Sequence, residues 1–147
     1  MGQIVVGVDG STNSRAALRW ALDEAQRRGA TVAAVAAWNF PTYAYTGVAV
    51  APPTAEIEQA AREGLAEAVR EEVTAVAGEH PSVEITQVVL EGPPAATLIE
   101  ASRDAELLVV GSRGLGGFRG LLLGSVSHQV SSHAHCPVVV VPHDLDE

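Results

Sequence analysis

A glycine-rich segment in the last third of the chain contains the residue types that bind phosphate. Five of the residues from Gly114 to Gly124 are glycine, and a serine follows Gly124 at the predicted start of a helix. Glycine lets a ligand approach the backbone closely, and the N–H groups at a helix N-terminus attract anions. Arg113 and Arg119 add positive charge that suits phosphate oxygens. The segment therefore predicts a phosphate-binding loop, with a long flexible connection as the alternative.

The spacing of these glycines excludes two widespread nucleotide motifs. All nine basic residues are arginine, so the lysine of a P-loop is missing. A G-x-G-x-x-G fingerprint beginning at Gly114 fails at Arg119, and it would follow the fourth predicted strand rather than the first. The spacing that does occur is G-x2-G-x9-G-S, which starts at Gly111 and ends at Ser125.

Other reactive residues form no catalytic or metal-binding set in the sequence. His133, His135 and Cys136 lie close together, but residues two apart do not share a face of a helix. The serines have no evident aspartate and histidine partners, which argues against a hydrolytic triad. Glu71 and Glu72 are expected on the solvated face of a helix. We therefore predict neither catalytic residues nor a metal site.

Hydrophobic periodicity predicts five strands that alternate with four helices. Short apolar runs predict strands over residues 4–8, 31–38, 83–90, 107–110 and 138–141. Apolar spacing and cap residues predict helices from an N-cap at Ser14 to residue 28, over 54–77, from 92 to about 102, and over 125–134. Apolar strands that alternate with helices form a parallel sheet covered on both faces. We predict one α/β domain over residues 1–147, built on an open five-stranded Rossmann-like sheet.

Three strand ends of this predicted sheet are suited to a ligand. Open parallel sheets bind ligands beyond the carboxyl ends of their strands, where the strand order reverses. The suitable ends are residues 8–10, residues 37–39 and the segment that begins at Gly111. Beside the second end lie four of the six aromatic residues: Trp38, Phe40, Tyr43 and Tyr45. They would either cover a ligand or fold back onto the helices.

Taken together, these segments resemble the ATP-binding branch of the universal stress protein family. The resemblance covers the whole chain and includes the opening IVVGVDGS, the GSRG…GS loop, the SVS helix start and the closing CPVVVVP. It implies that Asp9 accepts hydrogen bonds from a ribose, with a purely turn-forming role as the alternative, and that Ala37 lies against adenine. Gly7 departs from a proline found there in some relatives. The complete implied nucleotide site is Gly7, Val8, Asp9, Ala37, Val110, Gly111, Arg113, Gly114, Gly124, Ser125, Val126 and Ser127.

The function implied by the resemblance is that of an ATP-binding regulatory protein in the stress response, with or without Mg²⁺. A second interpretation is a slow ATPase or an autophosphorylating enzyme, with Ser112, Ser125 or Ser127 as the acceptor. A third is an interaction module that needs no nucleotide. The resemblance also implies a homodimer through residues 138–141, since an apolar edge strand is a template for pairing.

The composition also argues against several kinds of partner and cellular location. A net charge of −9 argues against nucleic acid and against anionic membranes as partners. No run reaches the roughly 18 apolar residues of a membrane span, and the N-terminus has no basic region of a signal peptide. A single cysteine excludes an internal disulfide and suits a reducing compartment. We therefore expect a cytoplasmic protein.

Overall fold

The computed structural model describes residues 2–38, 54–112 and 124–142. Its strands are β1 (Gln3–Gly7), β2 (Thr31–Trp38), β3 (Ile85–Glu91), β4 (Leu107–Gly111) and β5 (Val138–Val141). Its helices are α1 (Thr12–Arg28), α2 (Ala55–Ala77), α3 (Pro94–Ala101) and α4 (Ser125–His133), and a short 3-10 turn follows α3. The predicted order of elements is confirmed, with strand and helix ends displaced by up to three residues.

The five strands form one parallel sheet in the order β3-β2-β1-β4-β5. β1 pairs with β2 on one side and with β4 on the other, so the direction in which strands are added reverses between β1 and β4. The predicted α/β fold is thereby confirmed. The reversal brings together the carboxyl ends of β1 and β4, the place where such sheets bind ligands.

Helices cover both faces of the sheet because successive strand residues point to opposite sides. Ile4 and Val6 belong to a core shared with α1 and α2, whereas Val5 belongs to a second core on the other face, shared with α3 and α4. In β4, Leu107 and Leu108 divide between the two cores in the same way. This two-sided burial is why the strands read as continuous apolar runs rather than alternating ones.

The first helix begins three residues earlier than predicted. Its N-cap is Ser11, whose Oγ accepts a hydrogen bond from the Ser14 N–H at 3.1 Å. The prediction of Ser14 as the cap was wrong because Ser11 already satisfies the first turn. This arrangement leaves the Ser14 hydroxyl for other contacts. The helix ends as expected at Gly29, which has a φ of 68°.

Candidate functional site

The turn between β1 and α1 is shaped by Asp9 and Gly10. The Asp9 Oδ1 accepts a hydrogen bond from the Ser11 N–H at 2.9 Å, which closes the turn. Gly10 has a φ of +84°, a backbone conformation that glycine adopts without strain. Asp9 therefore takes part in forming the turn, and it is partly exposed at the carboxyl end of β1.

A carboxylate from α2 reaches this turn. The Glu72 Oε1 accepts a hydrogen bond from the Gly10 N–H at 3.0 Å, and its Oε2 accepts one from the Ser14 hydroxyl at 2.8 Å. The Ser14 Oγ also accepts from the Asp9 N–H at 3.2 Å. Glu72 is only 1% exposed. Its carboxylate thus links the last third of α2 to the first strand end.

The prediction that Glu72 lies on a solvated helix face was wrong, although the adjacent Glu71 is exposed. Glu72 lies three residues after Val69 and four before Val76, both fully buried. This spacing places it within the apolar stripe of α2. A charged residue in register with a buried stripe was the sequence signal that could have revealed it.

Burial raises the pKa of the Glu72 carboxyl above its usual range, because the ionised form loses its water. The hydrogen bonds from Ser14 and Gly10 act in the opposite direction and lower that pKa. The nearby charge of Asp9 raises it further, and the positive charge of Arg15 lowers it. The pKa of Glu72 therefore depends on groups in the β1–α1 turn and in the first turn of α1.

The carboxyl end of β4 packs directly against the first turn of α1. A Cβ placed on Gly111 would lie 3.0 Å from both the Cγ and the backbone oxygen of Asn13. Asn13 itself is buried. A side chain at position 111 would therefore force Asn13 to shift, because β4 and the start of α1 are in close contact here.

The start of α4 is hydrogen-bonded to the residue that follows β4. The Gly124 N–H donates to the Ser112 carbonyl oxygen at 2.6 Å, and the Ser127 Oγ lies 3.0 Å from the same oxygen. Ser112 and Ser127 are buried, whereas Ser125 is exposed. Gly124 is the N-cap of α4, and none of the side chains in the described ranges caps this helix. The arrangement leaves the N-terminus of α4 and the Ser125 hydroxyl suited to an anion.

The remaining predicted site residues flank this surface. Gly7 ends β1 and the buried Val8 follows it, with the Val8 N–H donating to the Val35 carbonyl oxygen at 2.9 Å. Ala37 is half-buried near the end of β2, the other neighbour of β1. Val110 is buried in the core under β4, and Val126 is half-buried in the first turn of α4.

Several predictions fall on residues outside the described ranges. These are Arg113 and Gly114 of the phosphate loop and the aromatic residues Phe40, Tyr43 and Tyr45. Within the described ranges, no group of three or more histidine, cysteine, aspartate or glutamate side chains is placed to hold a metal ion. None of the helices described is both long and apolar enough to span a bilayer.

Comparison with known proteins identifies the family. A sequence model of the universal stress protein family matches residues 1–142. The chain belongs to the universal stress protein family. A universal stress protein of Mycobacterium tuberculosis is 41% identical to it over 143 residues, which cover 97% of this chain and 46% of the relative. The chain thus spans about half the length of the curated relatives it matches.

Solved structures of universal stress proteins have the same fold. UspA from Lactobacillus plantarum superposes with a TM-score of 0.75 at 24% identity, covering 95% of this chain and 97% of that one. A universal stress protein described in complex with cAMP superposes with a TM-score of 0.66 at 28% identity, covering 95% of each chain. The family and the α/β fold inferred from the sequence are therefore confirmed.

Proposed function

We propose that this universal stress protein binds an adenine nucleotide, ATP above all, where the strand order of its sheet reverses. The observation that carries the proposal is the junction of two elements at that point. The β1–α1 turn contains Asp9, and the hydrogen bond from the Gly124 N–H to the Ser112 carbonyl oxygen holds the N-terminus of α4 at the end of β4. No described side chain caps that N-terminus. The relative described in complex with cAMP supports an adenine nucleotide as the ligand class.

The residues at this surface fit such a ligand. The carboxylate of Asp9 has the acceptor oxygens that ribose hydroxyls require. Gly124, Ser125 and Val126 would hold phosphates through backbone N–H groups and the exposed serine hydroxyl. Ala37 would lie beside the base, and Arg113 and Gly114 would complete the phosphate side. Bound ATP would supply a hydrolysable phosphate chain, with or without Mg²⁺, so its presence or loss would act as the regulatory signal.

Calorimetric titration with ATP, with and without Mg²⁺, tests the proposal. Ser125→Ala should weaken ATP binding about tenfold, because it removes a hydrogen bond to a charged group. Ser131→Ala is the matched control, since Ser131 is exposed on the same helix and its hydroxyl donates to the His128 carbonyl oxygen. Equal affinities for the two variants, or no heat with the unaltered protein, would refute the proposed site.

The autophosphorylation alternative can be tested with the same variants. Of the three serines considered as acceptors, Ser112 and Ser127 are buried and only Ser125 is exposed. Labelled γ-phosphate that stays on the protein and is lost in Ser125→Ala would therefore favour the enzyme interpretation. Label lost to free phosphate would indicate hydrolysis, and retained ATP would indicate a binding switch.

We also propose that two copies pair through β5, antiparallel across a twofold axis. The carbonyl oxygens of Pro137 and Val141 accept hydrogen bonds from β4. Because backbone groups alternate along a strand, those of Val140 point away from the sheet at its edge. Val140→Pro removes one outward donor and leaves the bonds to β4 intact, so light scattering should give a folded monomer. Val140→Ala should remain dimeric, and a dimeric proline variant would contradict the pairing.

A further inference from the structure

Glu72 is a buried carboxylate whose role the proposed binding site does not explain. It projects from the last third of α2, a helix that contributes none of the predicted nucleotide contacts. Both of its oxygens are directed at the β1–α1 turn, at 3.0 Å from the Gly10 nitrogen and 2.8 Å from the Ser14 hydroxyl. Gly10 lies between Asp9, the proposed ribose ligand, and the helix cap Ser11. Glu72 therefore accepts a hydrogen bond from the central residue of the turn.

Packing alone does not account for a carboxylate at this position. Its neighbours along the stripe are Val69, Val73 and Val76, all buried, and an apolar side chain would continue that stripe without losing water. Burial raises the pKa of Glu72, so its ionised form is disfavoured in the folded protein. What the carboxylate adds over an apolar residue is a pair of acceptors for the turn.

The Gly10 N–H is the group that depends most on Glu72. If the carboxylate were absent, the Ser14 hydroxyl could donate instead to the Ser11 carbonyl oxygen, which lies 3.2 Å away. In the described part of the chain, the Glu72 Oε1 is the acceptor that the Gly10 N–H has, at 3.0 Å. Loss of this hydrogen bond would remove a constraint on the turn at Gly10, the residue directly after Asp9.

We infer that Glu72 is a positioning residue: it holds the Asp9-Gly10-Ser11 turn in the shape that presents Asp9 to a bound nucleotide. This inference rests on the proposed function. It assigns α2 a role at the site although α2 itself does not touch the ligand. A displacement of α2 would thereby alter nucleotide affinity through a single side chain.

Three variants separate this role from general packing. Glu72→Met keeps the length of the side chain and removes both acceptors. Glu72→Gln keeps an acceptor for Gly10 and supplies a donor for Ser14. Glu71→Met makes the same substitution at the adjacent, exposed position. The measurements are calorimetric ATP affinity and the hydrogen-exchange rate of the Gly10 amide followed by NMR.

We expect Glu72→Met to weaken ATP binding about tenfold and to speed Gly10 exchange by a similar factor, the cost of leaving a hydrogen-bonding group without its partner. Glu72→Gln should restore both quantities to within about threefold, and Glu71→Met should change neither. Unchanged affinity and exchange in Glu72→Met, or a glutamine variant that behaves like the methionine one, would overturn the inference.

Two further outcomes are distinguishable. If the unaltered protein binds no adenine nucleotide, the proposed function fails, while Gly10 exchange still shows whether Glu72 holds the turn. If Glu72→Met does not fold, Ser14→Ala replaces it, since this variant removes the hydroxyl that links Glu72 to the Asp9 N–H. An ATP affinity unchanged in Ser14→Ala would then overturn the inference.

Discussion

Replacing Gly111 with alanine tests how rigidly β4 and α1 are held together at the candidate site. The added Cβ would lie 3.0 Å from the Asn13 backbone oxygen and 3.1 Å from its Oδ1. Both distances are shorter than ordinary van der Waals contacts. The neighbour that must move is backbone in the first turn of α1, which is fixed by the Ser11 cap and by the link from Ser14 to Glu72.

Such overpacking typically costs about 1–3 kcal/mol of unfolding free energy. For a domain of this size, that loss lowers the melting temperature by roughly 3–9 °C. ATP affinity should fall as well, because a shifted Asn13 would carry the β1–α1 turn with it. Thermal and urea unfolding measure the first effect, and calorimetry measures the second.

Gly7→Ala is the matched control on the neighbouring strand. Its Cβ would come even closer to a neighbour, 2.8 Å from the Cδ1 of Leu98. That atom is the end of a flexible side chain, so a small rotation relieves the contact and the cost should stay below about 1 kcal/mol. If Gly7→Ala is as destabilising as Gly111→Ala, the reasoning that the backbone of α1 cannot yield is refuted.

Two further predictions concern stability. In the described part of the chain, a Cβ built at Gly64 or at Gly29 meets no neighbouring heavy atom within 4 Å, yet the two alanine variants should change stability in opposite directions. Gly64→Ala, inside α2, should add about 0.5–1 kcal/mol of unfolding free energy. Gly29→Ala should remove about 1 kcal/mol, because Gly29 has a φ of +68°. Equal urea midpoints would contradict this. The raised pKa of Glu72 means that the folded protein holds this proton more tightly than the unfolded chain does. Its contribution to stability is therefore greatest below the ordinary glutamate pKa of about 4.3 and is lost as the pH rises through the raised value. Relative to Glu72→Gln, the unaltered protein should lose stability as the pH rises from the ordinary glutamate pKa through the raised one, and a constant difference would show that the pKa is not raised.

The sequence determined most of the fold because its signals are local. Continuous apolar runs such as residues 31–38 and 138–141 gave the strand bounds found in the structure. Ordering them into one parallel sheet required only that strands alternate with helices. The error at the start of α1 was a local one, a shift of three residues in the position of its N-cap. Ser11 and Ser14 are both competent caps, and only the geometry of the turn selects between them.

The family could also be recognised from the sequence, because glycine spacing and strand-end motifs are linear patterns. These patterns do not give the arrangement of the residues in space. The structure alone shows that Gly111 lies against Asn13, a contact between residues about 100 positions apart. It also shows that Ser127 is buried against the Ser112 carbonyl, while Ser125 two residues earlier is exposed.

Glu72 shows which of its properties follow from the sequence and which follow only from the tertiary structure. Its sequence position, in register with Val69 and Val76, fixed the helix face on which it lies. Its function depends on what that face meets, and the residues it meets are 58 and 62 positions away. A pattern within one helix gives the direction of a side chain but not its hydrogen-bonding partner. Only the packing of α2 against the β1–α1 turn brings this carboxylate to the candidate site.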